Sequence, residues 1–294
     1  MKIALLGSSG HVANNIYRLL RDDNEIYEFS REPIEDPMPE NSIHAHKYFR
    51  YPYDHLEHFE YDAIINCVGF GNPAKVEKAG FEIFDVTDGY DYQCLQYLKN
   101  VNPKTKYIYF SSGAVYNPID VNRMTPQTFY QISKLTAEAR HRSLPEFNII
   151  DIRLFSFFSR YANLDDSFFL NKIVKCVKED SIFLTDHKPM VRDYIHPKDL
   201  AMLIRKIMKV GYPINRTFDT YSLRRIDKQQ ILNYFEKEHN LDVEYLKNYK
   251  GFSTANKADY YSTDYDGEDI HFCPMYESID TIKEETEAIL NEQT

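Results

Sequence analysis

The stretch LLGSSGHVANNI, which begins at Leu5, constrains the fold more than any other. Gly7 and Gly10 follow a short apolar run and lead into a segment of helical periodicity, in the pattern Gly-x-x-Gly-x-x-Ala. Glycine at the end of a strand lets the chain turn tightly and lets the backbone approach a pyrophosphate, while a small residue at Ala13 keeps helix and strand close. The helix then starts with unpaired N–H groups aimed at the phosphates. Strand, glycine turn and helix in this order predict the first unit of a nucleotide-binding α/β sheet.

The pattern continues along the chain. KIALLG (2–7), EIYEFS (25–30), DAIINCVG (62–69), KYIYFSS (106–112) and NIIDIRLF (148–155) read as strands. Each is nearly continuous in apolar character, as expected of strands buried on both faces of a parallel sheet. Helical patterns at 11–21, 76–99 and 129–143 lie between them, and this alternation implies βαβ crossovers. After Phe155 the order loosens. Helices are expected at 167–179, 198–209, 227–239 and 278–292, and short strands near 182–185 and 216–221. The stretch 250–275 shows no period, and the Pro-rich 31–40 reads as a surface loop. The expected fold class is α/β, a Rossmann-type doubly wound parallel sheet with a smaller C-terminal α/β substrate-binding domain. The expected division is a dinucleotide-binding domain over 1–155, including the helix of Tyr130, and a mainly substrate-binding domain over 156–294. Some elements of the second part are expected to return to the sheet.

A net charge of -10 argues against a nucleic-acid surface, which needs a basic patch. Cys67, Cys94, Cys176 and Cys273 are far apart, as for free thiols in a reducing compartment. No apolar run approaches the ~20 residues of a membrane span, so a cytoplasmic protein with no membrane partner is expected. His44, His46, His55 and His58 lack the three or four convergent ligands of a metal site, and none is expected. Asp165-Asp166 reads as a helix cap.

The second strand ends in Ser30-Arg31, where an NAD site offers an acidic side chain to the ribose. Arg31 suits a 2′-phosphate, so NADP(H) is expected rather than NAD(H), with Glu28 or Glu32 as the acidic alternative. A Tyr-x-x-x-Lys pair then supplies chemistry. Chance alone yields about two such pairs in a chain this rich in tyrosine, and two occur, Tyr130/Lys134 and Tyr194/Lys198. Context separates them. Tyr130 and Lys134 share one face of an unbroken helical pattern, whereas Pro197 splits the other pair. A cation nearby favours phenolate, and such a tyrosine exchanges a proton with a carbonyl or alcohol oxygen. Ser111 and Ser112 close a buried strand, and open α/β sheets bind ligands at the carboxyl ends of their strands.

Taken in order, Gly7 to Ala13, Ser111-Ser112-Gly113-Ala114-Val115-Tyr116, Tyr130-Gln131-Ile132-Ser133-Lys134 and RDYIHPKDLA (192–201) resemble the extended short-chain dehydrogenase/reductases of the epimerase/dehydratase type, which act on nucleotide sugars. The resemblance implies Tyr130 as acid/base, Lys134 on the nicotinamide ribose and Ser112 on the reacting oxygen. It implies cofactor contacts from Gly7, Ser9, Gly10, His11, Val12, Ser30, Arg31, Cys67, Val68, Gly69 and Ser111. On the substrate side it implies Phe70, Gly71, Gly113, Ala114 and Ser156, with Arg192 at the diphosphate of a nucleotide-diphosphate sugar. It also implies a homodimer.

Departures from the family pattern narrow the reaction. Its dehydratases carry an Asp-Glu pair where this chain has Gly113 and Ala114, so dehydration is not expected. Its Arg-x-Phe-Asn reads Arg153-Leu154-Phe155-Ser156 here. The expected activity is NADP(H)-dependent reduction of a nucleotide-linked keto-sugar, a 4-keto-6-deoxyhexose, in polysaccharide precursor synthesis. The alternatives are an NAD-retaining C4 epimerase and a non-catalytic dinucleotide sensor.

Overall fold

Strand and helix alternate through most of the computed structural model, which describes residues 1–32, 50–247, 259–265 and 267–291. His44, His46 and most of the Pro-rich stretch lie outside these residues. The chain runs β1 (Lys2–Leu6), α1 (His11–Leu20), β2 (Glu25–Phe29), β3 (Arg50–Tyr51), β4 (Ala63–Asn66), α2 (Pro73–Ala79), α3 (Glu82–Asn100), β5 (Lys106–Ser112), α4 (Pro126–Arg142) and β6 (Ile149–Leu154). It continues with β7 (Ser156–Phe157), α5 (Phe169–Glu179), β8 (Phe183–Thr185), β9 (Val191–Arg192), β10 (Tyr194–Ile195), α6 (Pro197–Lys209) and β11 (Asn215–Asp219). The last elements are β12 (Ile226–Asp227), α7 (Lys228–His239), β13 (Val243–Tyr245), β14 (Asp259–Tyr260) and α8 (Ser278–Asn291).

Seven strands form one sheet in the order β3-β2-β1-β4-β5-β6-β11, every neighbour parallel. The fold is therefore a Rossmann-like α/β sheet, as expected. Strand order reverses between β1 and β4, and ligands of such sheets bind at the carboxyl ends beside that reversal. The glycine turn after β1 and the segment Cys67 to Gly71 after β4 both lie there.

The strands read as continuous apolar runs because both faces are covered. Ile3 and Leu5 join Ile65, Ile108 and Ile150 in a core under α1 and α6. Ala4 and Leu6 point the other way, to Ile64, Tyr107 and Tyr109 under α3 and α4. Each fully buried aliphatic side chain contributes ~1.5–3 kcal/mol. A separate core gathers Phe169 and Ile173 of α5, Ile231 and Phe235 of α7, and Ile282 of α8. Among the described residues, no helix is long and apolar enough to cross a membrane.

Two helices differ from their sequence patterns for local reasons. The one expected over 76–99 is two, because Asn72 caps and Pro73 opens α2, and Gly80 ends it at φ +55°. Helix α4 starts before Tyr130, at Pro126, where Thr125 and Thr128 cap each other reciprocally. That rigid first turn fixes where Tyr130 and Lys134 project.

Candidate functional site

The turn after β1 is tied to both neighbouring strands. Gly7 N and Ser8 N donate to Phe29 O at 3.0 and 3.1 Å, and Gly10 N donates to Gly7 O at 2.8 Å. Gly7 has φ +74°, and a Cβ there would lie 3.1 Å from the backbone of Cys67 and Val68. Only glycine meets both conditions. Gly10 gives α1 no side-chain cap, so the helix's first N–H groups are open to an anion. Ser9 and Gly10 are exposed, His11 and Val12 half-buried.

His11 does more than open the helix. It shares a hydrogen bond of 2.7 Å with Ser159 Oγ, which also accepts from Asn15 Nδ2 at 2.9 Å. Burial pushes the imidazole down to about 4, against the carboxylates of Asp166 and Glu285, so it is neutral. Ser159 precedes Arg160, whose backbone N–H and guanidinium donate to the buried Glu285 of α8. The glycine helix is thereby fastened to the last helix.

At the end of β2, Ser30 is buried and its Oγ donates to Glu32 O at 2.6 Å. Arg31 is exposed. Glu28 is buried against Arg50 at 3.4 Å, and burial raises its carboxyl above the usual range. Of the two acidic alternatives, Glu28 therefore faces inward and Glu32 is exposed.

Ser112, Tyr130 and Lys134 come together, as their order in the sequence suggests. Ser112 ends β5 and its Oγ accepts from Ala114 N at 3.2 Å. It also shares a hydrogen bond of 3.0 Å with the Tyr260 hydroxyl and lies close enough to the Tyr130 phenol to act on its titration. Lys134 is 2% exposed and donates to Tyr109 Oη at 3.0 Å and Phe110 O at 2.8 Å. One of its three N–H donors remains for a ligand among the described residues. Its ammonium lies 5.9 Å from the centroid of the Tyr130 ring. A Cβ on Gly69, at φ +151°, would come within 3.4 Å of that ammonium.

The expected effect of Lys134 on Tyr130 is not what dominates. Burial raises the Tyr130 phenol, with Ser112 opposing, so it stands protonated. Burial likewise brings Lys134 down to about 8, against the pull of Asp91. A buried cation bonded to two other oxygens does not pull the phenol down.

The Ser111 hydroxyl is engaged within the fold. It donates to Glu138 at 2.5 Å, and Glu138 also holds Arg153 through both carboxylate oxygens. That proton is used inside the fold. Asp165 and Asp166 do not cap α5, whose N-cap is Phe168. Asp165 pairs with Lys175 at 2.6 Å, and Asp166 accepts from Asn72, next to Gly71, at 2.5 Å. Tyr194 and Lys198 part as expected: Tyr194 is buried in β10 and Lys198 pairs with Glu284 at 2.5 Å.

On the substrate side, the Phe155 ring fills the space a side chain at Gly113 would need, with a Cβ only 2.3 Å from its edge. Ala114 is buried. Ser156 lies in β7, paired with Tyr194. Phe70 is half-buried and Gly71 exposed after β4. Arg192 is buried in β9 and donates to Val191 O at 2.7 Å. Asp193 is bonded to Ser222 N and Asp199 to Met275 N and Tyr276 N.

Sequence reasoning did not find the polar network under the site. His141 is fully buried, its Nδ1 2.6 Å from Asp151 and its Nε2 2.7 Å from Asp91. Burial alone would depress it, but hydrogen bonds to Asp151 and Asp91 outweigh this and lift it to about 9. Tyr107 donates to the same Asp91, and the Tyr109 ring, which carries the Lys134 contact, lies 5.2 Å edge-on from His141. Among the described residues, one cluster has metal-ligand spacing, His196, Glu284 and Glu285. Its carboxylates already pair with Lys198 and Arg160.

The sequence model of the NAD dependent epimerase/dehydratase family matches residues 3–243. Comparison with curated protein sequences returns no match. Among solved structures, the chain is similar to the UDP-N-acetylglucosamine 4-epimerase of Methanobrevibacter ruminantium M1 in complex with UDP-N-acetylmuramic acid, at TM-score 0.79 and 16% identity, over 100% of this chain and 99% of that one. It is similar to the UDP-glucose 4-epimerase of Thermotoga maritima with UDP-glucose, at TM-score 0.78 and 12% identity, over 100% of both chains. The dTDP-glucose 4,6-dehydratase of Bacillus anthracis in complex with NAD matches at TM-score 0.75 and 14% identity, over 100% of this chain and 97% of that one.

Proposed function

Because this chain belongs to the NAD-dependent epimerase/dehydratase family, we propose that it oxidises and reduces one hydroxyl-bearing carbon of a nucleotide-linked sugar, with C4 epimerisation as the net reaction. The observation that carries this reading is the meeting of Ser112, Tyr130 and Lys134 beside the glycine turn. The Phe155 ring over Gly113 supports redox chemistry without dehydration, because no carboxylate fits there.

The residues present fit a nicotinamide dinucleotide. Gly7 leaves room only for backbone, the α1 start is uncapped, and Gly69 keeps Lys134 approachable. Such a cofactor supplies the acceptor and donor of hydride. The other steps belong to the protein. Tyr130 exchanges a proton with the sugar oxygen, and Ser112 donates a hydrogen bond to that oxygen. Lys134 binds the cofactor ribose through its remaining donor and lowers the cost of the tyrosinate formed during turnover. Arg192 takes the sugar diphosphate, and the lobe built on α5, α7 and α8 forms the sugar-nucleotide side of the cleft. The bond from His11 to Ser159, backed by Arg160 and Glu285, stiffens the wall beside the glycine turn and supports a cofactor retained through turnover.

A second reading, reduction of a 4-keto-6-deoxyhexose nucleotide by NADPH, is favoured by one observation. Arg31 is exposed at the end of β2, where Ser30 replaces a carboxylate. One experiment separates the readings. The purified protein is denatured and its released NAD or NADP identified. It is then incubated without added cofactor with UDP-glucose, UDP-N-acetylglucosamine or UDP-glucuronic acid, and the C4 configuration is read by NMR. Released NAD and isomerised sugar support epimerisation. NADPH oxidation matched to loss of a dTDP- or UDP-linked 4-keto-6-deoxyhexose supports reduction. Neither outcome, or full activity in Tyr130→Phe, refutes both.

A further inference from the structure

Tyr260 stands at the catalytic hydroxyls although 148 residues separate it from Ser112. Its backbone is held in β14 by parallel pairing with β9, Asp259 opposite Val191 and Tyr260 opposite Arg192. Its ring packs 5.3 Å from Phe155, and the Arg192 guanidinium lies 6.0 Å from the ring centroid. Strand pairing and ring packing together aim the Tyr260 hydroxyl at Ser112 Oγ, 3.0 Å away.

A serine hydroxyl has one proton to give and two lone pairs to accept with. Ser112 Oγ already accepts from Ala114 N. Burial holds the Tyr260 phenol well above the usual tyrosine range, with the nearby Tyr130 adding to the effect, so it keeps its proton at neutral pH. A donated bond from Tyr260 fills the second lone pair of Ser112. The Ser112 proton then has a single free direction, the Tyr130 side, where the reacting oxygen must sit.

We propose that Tyr260 is a positioning residue whose hydroxyl donates to Ser112 Oγ and aims the Ser112 proton at the reacting sugar oxygen. This rests on the roles assigned above to Ser112 and Tyr130. Loss of the hydroxyl frees the Ser112 rotor but leaves the ring, and with it the pocket wall, in place. The effect therefore falls on kcat and not on KM.

The test uses the full-length protein and whichever of UDP-glucose, UDP-N-acetylglucosamine and UDP-glucuronic acid the native enzyme isomerises. Tyr260→Phe is expected to lower kcat roughly tenfold to hundredfold, less than loss of a direct donor. KM, bound dinucleotide and Tm are expected to stay at native values. A cycle with Ser112→Ala reads the coupling: the double variant is expected to be no slower than Ser112→Ala alone. Native kcat in Tyr260→Phe overturns the proposal. So do independent, multiplying losses in the cycle, and so does a lower KM with faster turnover, which would mean the hydroxyl competes with the sugar for Ser112. Tyr130→Phe tells the two levels apart. If it is inactive while Tyr260→Phe is native, only this inference fails; if it is fully active, the assignment beneath it fails as well.

Discussion

His141 makes the stability of this protein depend on pH in a direction opposite to that of the lysine above it. The imidazole donates to Asp91 and Asp151, and all three side chains are fully buried. Its folded value of about 9 lies above the ordinary imidazole value of 6.5. A raised value means that protonation favours the folded state. The contribution is complete below pH 6.5 and is lost as pH rises through 9. A gap of 2.5 at 1.36 kcal/mol each corresponds to about 3 kcal/mol. Lys134 works the other way. Its folded value, about 8, lies below the ordinary lysine value of 10.5, so its desolvation penalty eases as pH rises through that window. The raw pH dependence of the native protein thus mixes two opposed effects. His141→Gln isolates one of them. Urea unfolding of both proteins at pH 6.5, 8 and 9.5 should show a difference in stability that shrinks by about 3 kcal/mol across the series. The variant should also start about 3–5 kcal/mol less stable, because Asp91 and Asp151 lose a shared partner while buried. A stability difference that stays constant from pH 6.5 to 9.5 would refute the assignment of a charged His141.

Tyr130→Phe should lower turnover by ~10²–10⁴-fold with dinucleotide content unchanged, measured by C4 configuration and by cofactor release. Gly113→Ala should cost ~1–3 kcal/mol by overpacking, read as a shift in the urea midpoint. Phe155→Leu in the same chain should recover most of that loss, since the contact at 2.3 Å is with the ring edge. Arg31→Ala should weaken NADP binding by tenfold or more and leave NAD binding unchanged, measured by calorimetry on protein stripped of cofactor, if the 2′-phosphate meets this arginine.

Most of the sheet was legible because its strands are buried on both faces and so read as unbroken apolar runs. KYIYFSS becomes β5 with the bounds its composition suggests. β3 was not legible, since two residues at a sheet edge carry no periodic signal. The helix over 76–99 was misread because Gly80 looks like any tolerated glycine until its positive φ is seen. In the site, residues within one short stretch were readable together: Ser112 beside Gly113, Tyr130 beside Lys134. Partners brought in from afar were not. Tyr260 sits in a stretch without period, and Ser159 looks like any loop serine until Asn15 and His11 are found on it. His141 reads as the polar end of an amphipathic helix, and only the packed sheet shows it closed between Asp91 and Asp151.

Glu285 has a meaning for the order in which this molecule is made. Domains fold from the N-terminus during synthesis, at ~5–20 residues per second. The glycine turn precedes the segment fastened to it, Ser159 and Arg160, by about 150 residues, and that segment takes its buried carboxylate from α8, later still. β11, the far edge of the sheet, also arrives after residue 214. A nascent chain that has not reached Glu285 therefore holds the glycine turn without this brace. A ribosome stalled before Glu285 would carry a chain in which Arg160 lacks its buried carboxylate partner.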